Sequence, residues 1–187
     1  HEDGRQVGMP VHALLRGLLD CESVEQAREL ALSLTYCGSS NVLIADAQGQ
    51  MASLECSPRG AIALPPQHQD TRSSLCHTNH FCDPALAKID ASVAGNLSTT
   101  ERLDRARALI DSVDSVELAG QLLSDTTDGL ISICRFPDPD MTPEARIETV
   151  VSTIMDLSKQ RLYVSAAQPS ATPYELIELP ELVDGYA

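Results

Sequence analysis

SSNVLIADAQGQMASLECSP, residues Ser39–Pro58, is where the hydrophobic period of this chain changes from that of a helix to that of a sheet. Asn41 to Ala47 (NVLIADA) and Met51 to Cys56 (MASLEC) are β-prone runs on either side of the Gly49 turn, which reads as a hairpin. GAIALP, from Gly60, is a candidate third strand. Upstream, GMPVHALLRGLLD spaces Val11, Leu14, Leu15, Leu18 and Leu19 along one helical face, with Pro10 where a first turn tolerates it. A second helix starts at Ser23, where Ser-Val-Glu-Gln has the capping-box pattern, and runs through Ala27, Leu30, Ala31 and Leu34 to a stop at Gly38.

Downstream, Gln67 to Asn96 is rich in His, Asp, Asn and Ser and reads as a long loop with one short buried strand. Thr99 or Thr100 is expected to cap a helix holding Leu103, Ala106, Leu109 and Ile110, and Ser115 a shorter one ending near Leu123. Leu130 to Phe136, bounded by Gly129 and Pro137, suits a buried strand, and FPDPDMTPEA is a surface loop. Thr149 to Asp156 and Arg161 to Ala166 form a second predicted hairpin. Two helical pairs alternating with two hairpins predict layered α+β packing in one domain over residues 1–187.

Composition narrows the partners. With 13 Lys and Arg against 27 Asp and Glu, the net charge of −14 repels nucleic acid and anionic membrane surfaces. Aromatic residues make up 3% and Trp is absent, so stacking platforms for bases or sugars are missing and a small ligand is expected. No run of 18 apolar residues occurs, and the first ten residues lack a signal-peptide pattern. The six cysteines, several inside apolar runs, read as mostly reduced, which suits a cytoplasmic protein.

Chemistry concentrates in Cys76-His77-Thr78-Asn79-His80-Phe81-Cys82. Read as a metal site, it offers two imidazoles and two thiols, but on a strand residues three apart face opposite sides. Read plainly, it is a polar strand end with hydrogen-bonded histidines. Read as an oxyanion site, the Asn79 amide donates to the charge developing on a tetrahedral intermediate.

GMPVHALLRGLL, SSNVLIADAQGQMASLECSP, HTNHF, ISICR and TVVSTIMDLSKQRLYVSAAQP, in this order between about Gly8 and about Leu179, resemble the acyl-coenzyme A:6-aminopenicillanic acid acyltransferase (isopenicillin N acyltransferase) family. The resemblance implies an N-terminal-nucleophile αββα sandwich. It also implies an amidase or acyltransferase that matures by self-cleavage and works through a cysteinyl thioester, with the freed α-amino group as base. In that pattern the nucleophilic cysteine follows Gly and precedes Thr or Ser, and none of the six cysteines here stands so. The chain therefore resembles the C-terminal part of such a protein. The nucleophile strands are expected from another segment or a companion chain, and the chain alone is expected to be inactive and to aggregate.

By the same resemblance, Asn79 is the oxyanion donor, and Arg102 or Arg105 matches a helix arginine aimed at the active centre, with Arg102 taken as the catalytic choice. His77 and His80 orient the Asn79 segment, and Ser57, Ser132 and Arg135 lie in runs near the substrate pocket. Where many members have Asp-His before the SIC run, this chain has Asp125-Thr126. The expected substrate is a small N-acyl amide or acyl thioester, without cofactor or metal, and the protein could form a homo-oligomer. Hydrolysis is favoured over transfer, because water is always available and nothing marks an acyl-coenzyme A site. The rival reading is a non-catalytic binding or assembly subunit of the same fold.

Overall fold

The computed structural model describes residues 7–69, 71–90 and 98–177, so residues 91–96 of the expected loop and the end of the family resemblance fall outside it. The chain divides into two compact units, His1–Leu103 and Asp104–Ala187. The architecture is mixed α and β with small antiparallel sheets, as the sequence predicts. No helix among the described residues is long and apolar enough to cross a membrane.

In the first unit, α1 (Val11–Leu19) and α2 (Val24–Ser33) precede strands β1 (Ser40–Ala45), β2 (Met51–Ser57) and β3 (Gly60–Leu64), hydrogen-bonded in that order. Val42 pairs with Leu54 and Leu54 with Ala63. Cross-strand partners share a face, so these side chains join Leu14, Leu18, Ala27, Ala31, Tyr36 and Cys56 in one core. Glu55 alternates to the opposite face of β2 and is nevertheless fully buried. The hairpin turn is set locally: the Asp46 Oδ1 accepts from the backbone N–H groups of Gln48 and Gln50, and Gly49 takes a φ of 82°.

The Ser23 cap forms as predicted, with the Gln26 N–H donating to Ser23 Oγ at 3.1 Å, while the Gln26 side chain accepts from the Glu22 N–H. Helix α2 ends at Ser33, before Gly38 is reached. The chain instead extends so that the Met9 N–H donates to the Thr35 carbonyl and Tyr36 enters the core, its hydroxyl donating to the Ala31 carbonyl at 2.6 Å. Those long-range bonds replace the next helical turn.

The predicted 67–96 loop is more structured than expected. Its single buried strand is replaced by an exposed pair, β4 (Gln67–Gln69) with β5 (Arg72–Ser74), followed by the short helix α3 (Pro84–Ala87). Asp83 caps α3, accepting from the N–H groups of Ala85 and Leu86. The seven-residue His- and Cys-rich run is not a strand.

Helix α4 (Ser98–Ile110) carries the boundary between the units. Thr99 sits inside α4 and is buried rather than capping it. The second unit continues with α5 (Val116–Leu123), whose Leu118 N–H donates to the predicted Ser115 cap. Its sheet runs β6 (Ser152–Asp156), β7 (Arg161–Ser165), β8 (Glu175–Ile177), so the predicted hairpin gains a third strand. Helix α5 covers one face, where Gly120 lets the Tyr174 ring approach; a Cβ there would lie 3.3 Å from it.

The strand expected over Leu130–Phe136 does not form. A single 3-10 turn spans Gly129–Ile131, the Cys134 N–H donates to the Asp125 carbonyl, and the Arg135 N–H is taken by the Thr149 hydroxyl. With its backbone groups divided between a turn, the Asp125 carbonyl and single contacts with Thr149, the run makes no continuous ladder.

Candidate active site

A cleft of about 370 Å³ in the first unit is lined by Ser40, Asn41 and Leu43 from β1 and by His77, Asn79 and Phe81 from the loop after β5. The loop is held by side chains of distant elements. The Asn79 N–H donates to Thr99 Oγ1 at 2.8 Å, the Phe81 N–H to Asp90 Oδ2 at 2.7 Å, and the Cys82 and Asp83 N–H groups to the two oxygens of Glu55. These bonds do for the loop what a ladder does for a strand, which is why it stays irregular and still ordered in position.

Glu55 is the hub. Its carboxylate also accepts from His77 Nε2 at 2.7 Å, while His77 Nδ1 lies 2.7 Å from the Thr78 carbonyl oxygen. Burial pushes the Glu55 pKa up, but the hydrogen bonds from His77, Cys82 and Asp83 outweigh that and hold it below the usual carboxylate value. His80 Nδ1 contacts the hydroxyls of Thr99 at 2.9 Å and Thr78 at 3.2 Å, and the Thr78 hydroxyl donates to the Thr99 carbonyl. The two histidines thus brace the segment by different routes, one to β2 and one to α4.

Ligating atoms of Glu55, His77 and Cys82 lie within 4.8 Å of one another, a donor set that zinc accepts. A metal there would need a lone pair on a His77 nitrogen, and both nitrogens lie 2.7 Å from oxygens, those of the Thr78 carbonyl and the Glu55 carboxylate. The arrangement fits hydrogen bonding better than coordination.

Asn79 and Arg102 meet: Arg102 Nη2 donates to Asn79 Oδ1 at 2.6 Å, and its Nε donates to the Ser98 carbonyl. A guanidinium only donates, so the contact fixes which end of the amide is oxygen. Asn79 is exposed, and its Oδ1 is the atom that Arg102 holds. Arg105 goes elsewhere, forming a two-point ion pair with Asp125 at 2.7 and 3.0 Å and a hydrogen bond to Thr127.

The remaining sequence candidates are not gathered around this cleft in the first unit. Ser57 is buried at the β2–β3 turn, donating to the Gly60 carbonyl and accepting from the Arg59 N–H. Ser132 and Arg135 belong to the second unit, where Ser132 Oγ and Arg135 Nε are buried without a hydrogen-bond partner among the described residues. All six cysteines are free thiols. Cys56 is fully buried, and that burial pushes its thiol pKa up, the opposite of what a nucleophile needs. Sequence reasoning missed Glu55, Thr99 and Asp90. An acid between Leu54 and Cys56 in an apolar strand was the one available signal, since such a residue must find partners when buried.

The model of the family described as acyl-coenzyme A:6-aminopenicillanic acid acyl-transferase matches residues 1–171. A search of curated proteins gives no match.

Proposed function

Because this chain belongs to the acyl-coenzyme A:6-aminopenicillanic acid acyl-transferase family, we propose that it forms part of an amidase or acyltransferase that works through a cysteinyl thioester, with the nucleophile supplied by a segment or chain beyond these residues. The observation that carries this reading is the Asn79 amide, oriented by Arg102 at the rim of an open cleft. In the proposed step the α-amino group takes the proton of the cysteine thiol, the thiolate attacks the acyl carbonyl carbon, a C–S bond forms, and the carbonyl oxygen becomes an oxyanion that accepts from Asn79 Nδ2. Collapse breaks the C–N bond, the leaving amine takes a proton from the α-amino group acting as acid, and water or a second amine then removes the acyl group. The substrate class is a small N-acyl amide or acyl thioester, and hydrolysis is the favoured outcome.

The αββα sandwich is part of the same proposal. It is supported by a three-stranded antiparallel sheet with helical cover in each unit. Intact mass spectrometry of the natively purified protein tests the reading. A companion species beginning with cysteine, alkylated by iodoacetamide with loss of amide hydrolysis, is the expected result. This chain alone, folded and without turnover of acyl amides, would replace it with the non-catalytic subunit.

A further inference from the structure

From the contacts of Glu55 and His77 we infer that these residues form a buried carboxylate–imidazolium clamp that positions the loop 77–83, and with it Asn79, at the cleft. The inference rests on the reading of Asn79 as oxyanion donor for its function, but not for its chemistry. The His77 side chain is 5% exposed and that of Glu55 is 0% exposed. His77 Nδ1 faces a carbonyl oxygen, which can only accept, and Nε2 faces a carboxylate oxygen. A ring with acceptors at both nitrogens donates from both, and that ring is the cation. The carboxylate in turn is surrounded by donors: the His77 ring, the Cys82 N–H and the Asp83 N–H. Three donors fit the ionised form, which has acceptor sites only.

Two titratable groups of the described residues stand beside the pair. Asp83 directs its Oδ1 at the N–H groups of Ala85 and Leu86, and Cys82 places its Sγ in the same cluster as a weak donor. The pair is neutral in sum, which makes its burial tolerable, whereas either charge alone would be left uncompensated. Geometry also explains what the clamp does. It grips the loop at His77 on one flank of Asn79 and at Cys82 and Asp83 on the other, while Thr99 holds the Asn79 N–H between them. Glu55 and His77 are therefore positioning residues, acting on the oxyanion donor without touching substrate.

Nitrogen-15 spectra of the histidine rings in the purified full protein, with any companion chain retained, test this at neutral pH. The expected result is a His77 ring with hydrogens on both nitrogens. Glu55→Gln should remove one of them and shift the Asn79 side-chain amide signals, assigned by their loss in Asn79→Asp. In the active protein the same substitution should lower kcat at least tenfold with KM within about twofold, since donor placement matters in the transition state. A neutral His77 ring in the wild type, zinc at one equivalent in the purified protein, or Asn79 signals unmoved in Glu55→Gln would each overturn the clamp. If Glu55→Gln does not fold, His77→Gln takes its place for the Asn79 readout. The expected ring spectrum without turnover of any acyl amide would overturn the proposed reaction and leave the clamp standing.

Discussion

A carboxamide can serve an oxyanion only from its nitrogen end, and at Asn79 the guanidinium of Arg102 decides which end that is. Asn79→Asp separates the two roles of the residue. The carboxylate keeps, and strengthens, the contact with Arg102, yet it has no hydrogen to donate. We expect the variant to fold with an unchanged melting temperature while kcat for an acyl amide falls about 10²–10³-fold, the usual consequence of losing one oxyanion donor. A variant that keeps its rate would remove Asn79 from the chemistry. A different residue-scale constraint acts at Gly8, where a Cβ would lie 2.5 Å from the backbone carbon of Tyr36 and 2.7 Å from the Cys37 nitrogen. Backbone atoms cannot rotate aside as a side chain can, so Gly8→Ala should destabilise by about 1–3 kcal/mol in urea titration.

At the scale of elements, one predicted cap and one unpredicted ion pair make contrasting tests. Ser115 accepts the Leu118 N–H at 3.2 Å on an exposed helix start, and Ser115→Ala should cost about 1 kcal/mol by chemical denaturation. Asp125 ties the turn after α5 to α4 through Arg105, which together with Thr127 lowers its pKa from 3.8 to about 2 against the opposing effect of burial. A carboxyl with a depressed folded pKa contributes stability above its unfolded value and loses it as pH falls towards the folded one. The contribution should therefore be complete above about pH 4 and fade by about pH 2, amounting to about 1–2 kcal/mol after allowance for the part-exposed arginine. Asp125→Asn should flatten that portion of the stability curve; an unchanged curve would assign the acid sensitivity to Glu55 or other carboxylates.

The caps at Ser23 and Ser115 were readable in the sequence because capping joins residues three apart, and the β1–β2 hairpin was readable because Gly49 marks its turn from within. The loop presenting Asn79 was not. Its order comes from Glu55, more than twenty residues earlier, and from Thr99, twenty residues later. Periodicity sees neither, and a threonine at a helix start reads as a cap until its hydroxyl is found facing the loop. The strand expected at Leu130–Phe136 failed for the same reason: an apolar run looks like a strand, but Thr149 and Asp125 had already claimed its backbone. Asn79 itself was found through family resemblance, and its pairing with Arg102 rather than Arg105 required the helix phase that only the folded chain supplies.

For the whole molecule, two surface properties oppose each other. A net charge of −14 keeps copies apart by repulsion that reaches about 10 Å at 0.1 M salt and about 3 Å at 1 M. Against it stands the face of the β6–β7–β8 sheet opposite α5, where Met155, Leu162 and Ile177 line up in register across the three strands. Met155 is 67% exposed and Ile177 42%, and attraction between such apolar faces is not screened by salt. Self-association of the purified chain should therefore rise as ionic strength is raised from about 0.05 to about 0.5 M, visible as a growing weight-average mass in light scattering. Met155→Glu, which places a charge at the centre of the exposed row, should suppress the rise without lowering the melting temperature, because the residue it replaces is in solvent. If the wild-type mass stays constant across that range, the face is not adhesive, and the expectation that this chain requires a companion to stay in solution loses its physical basis.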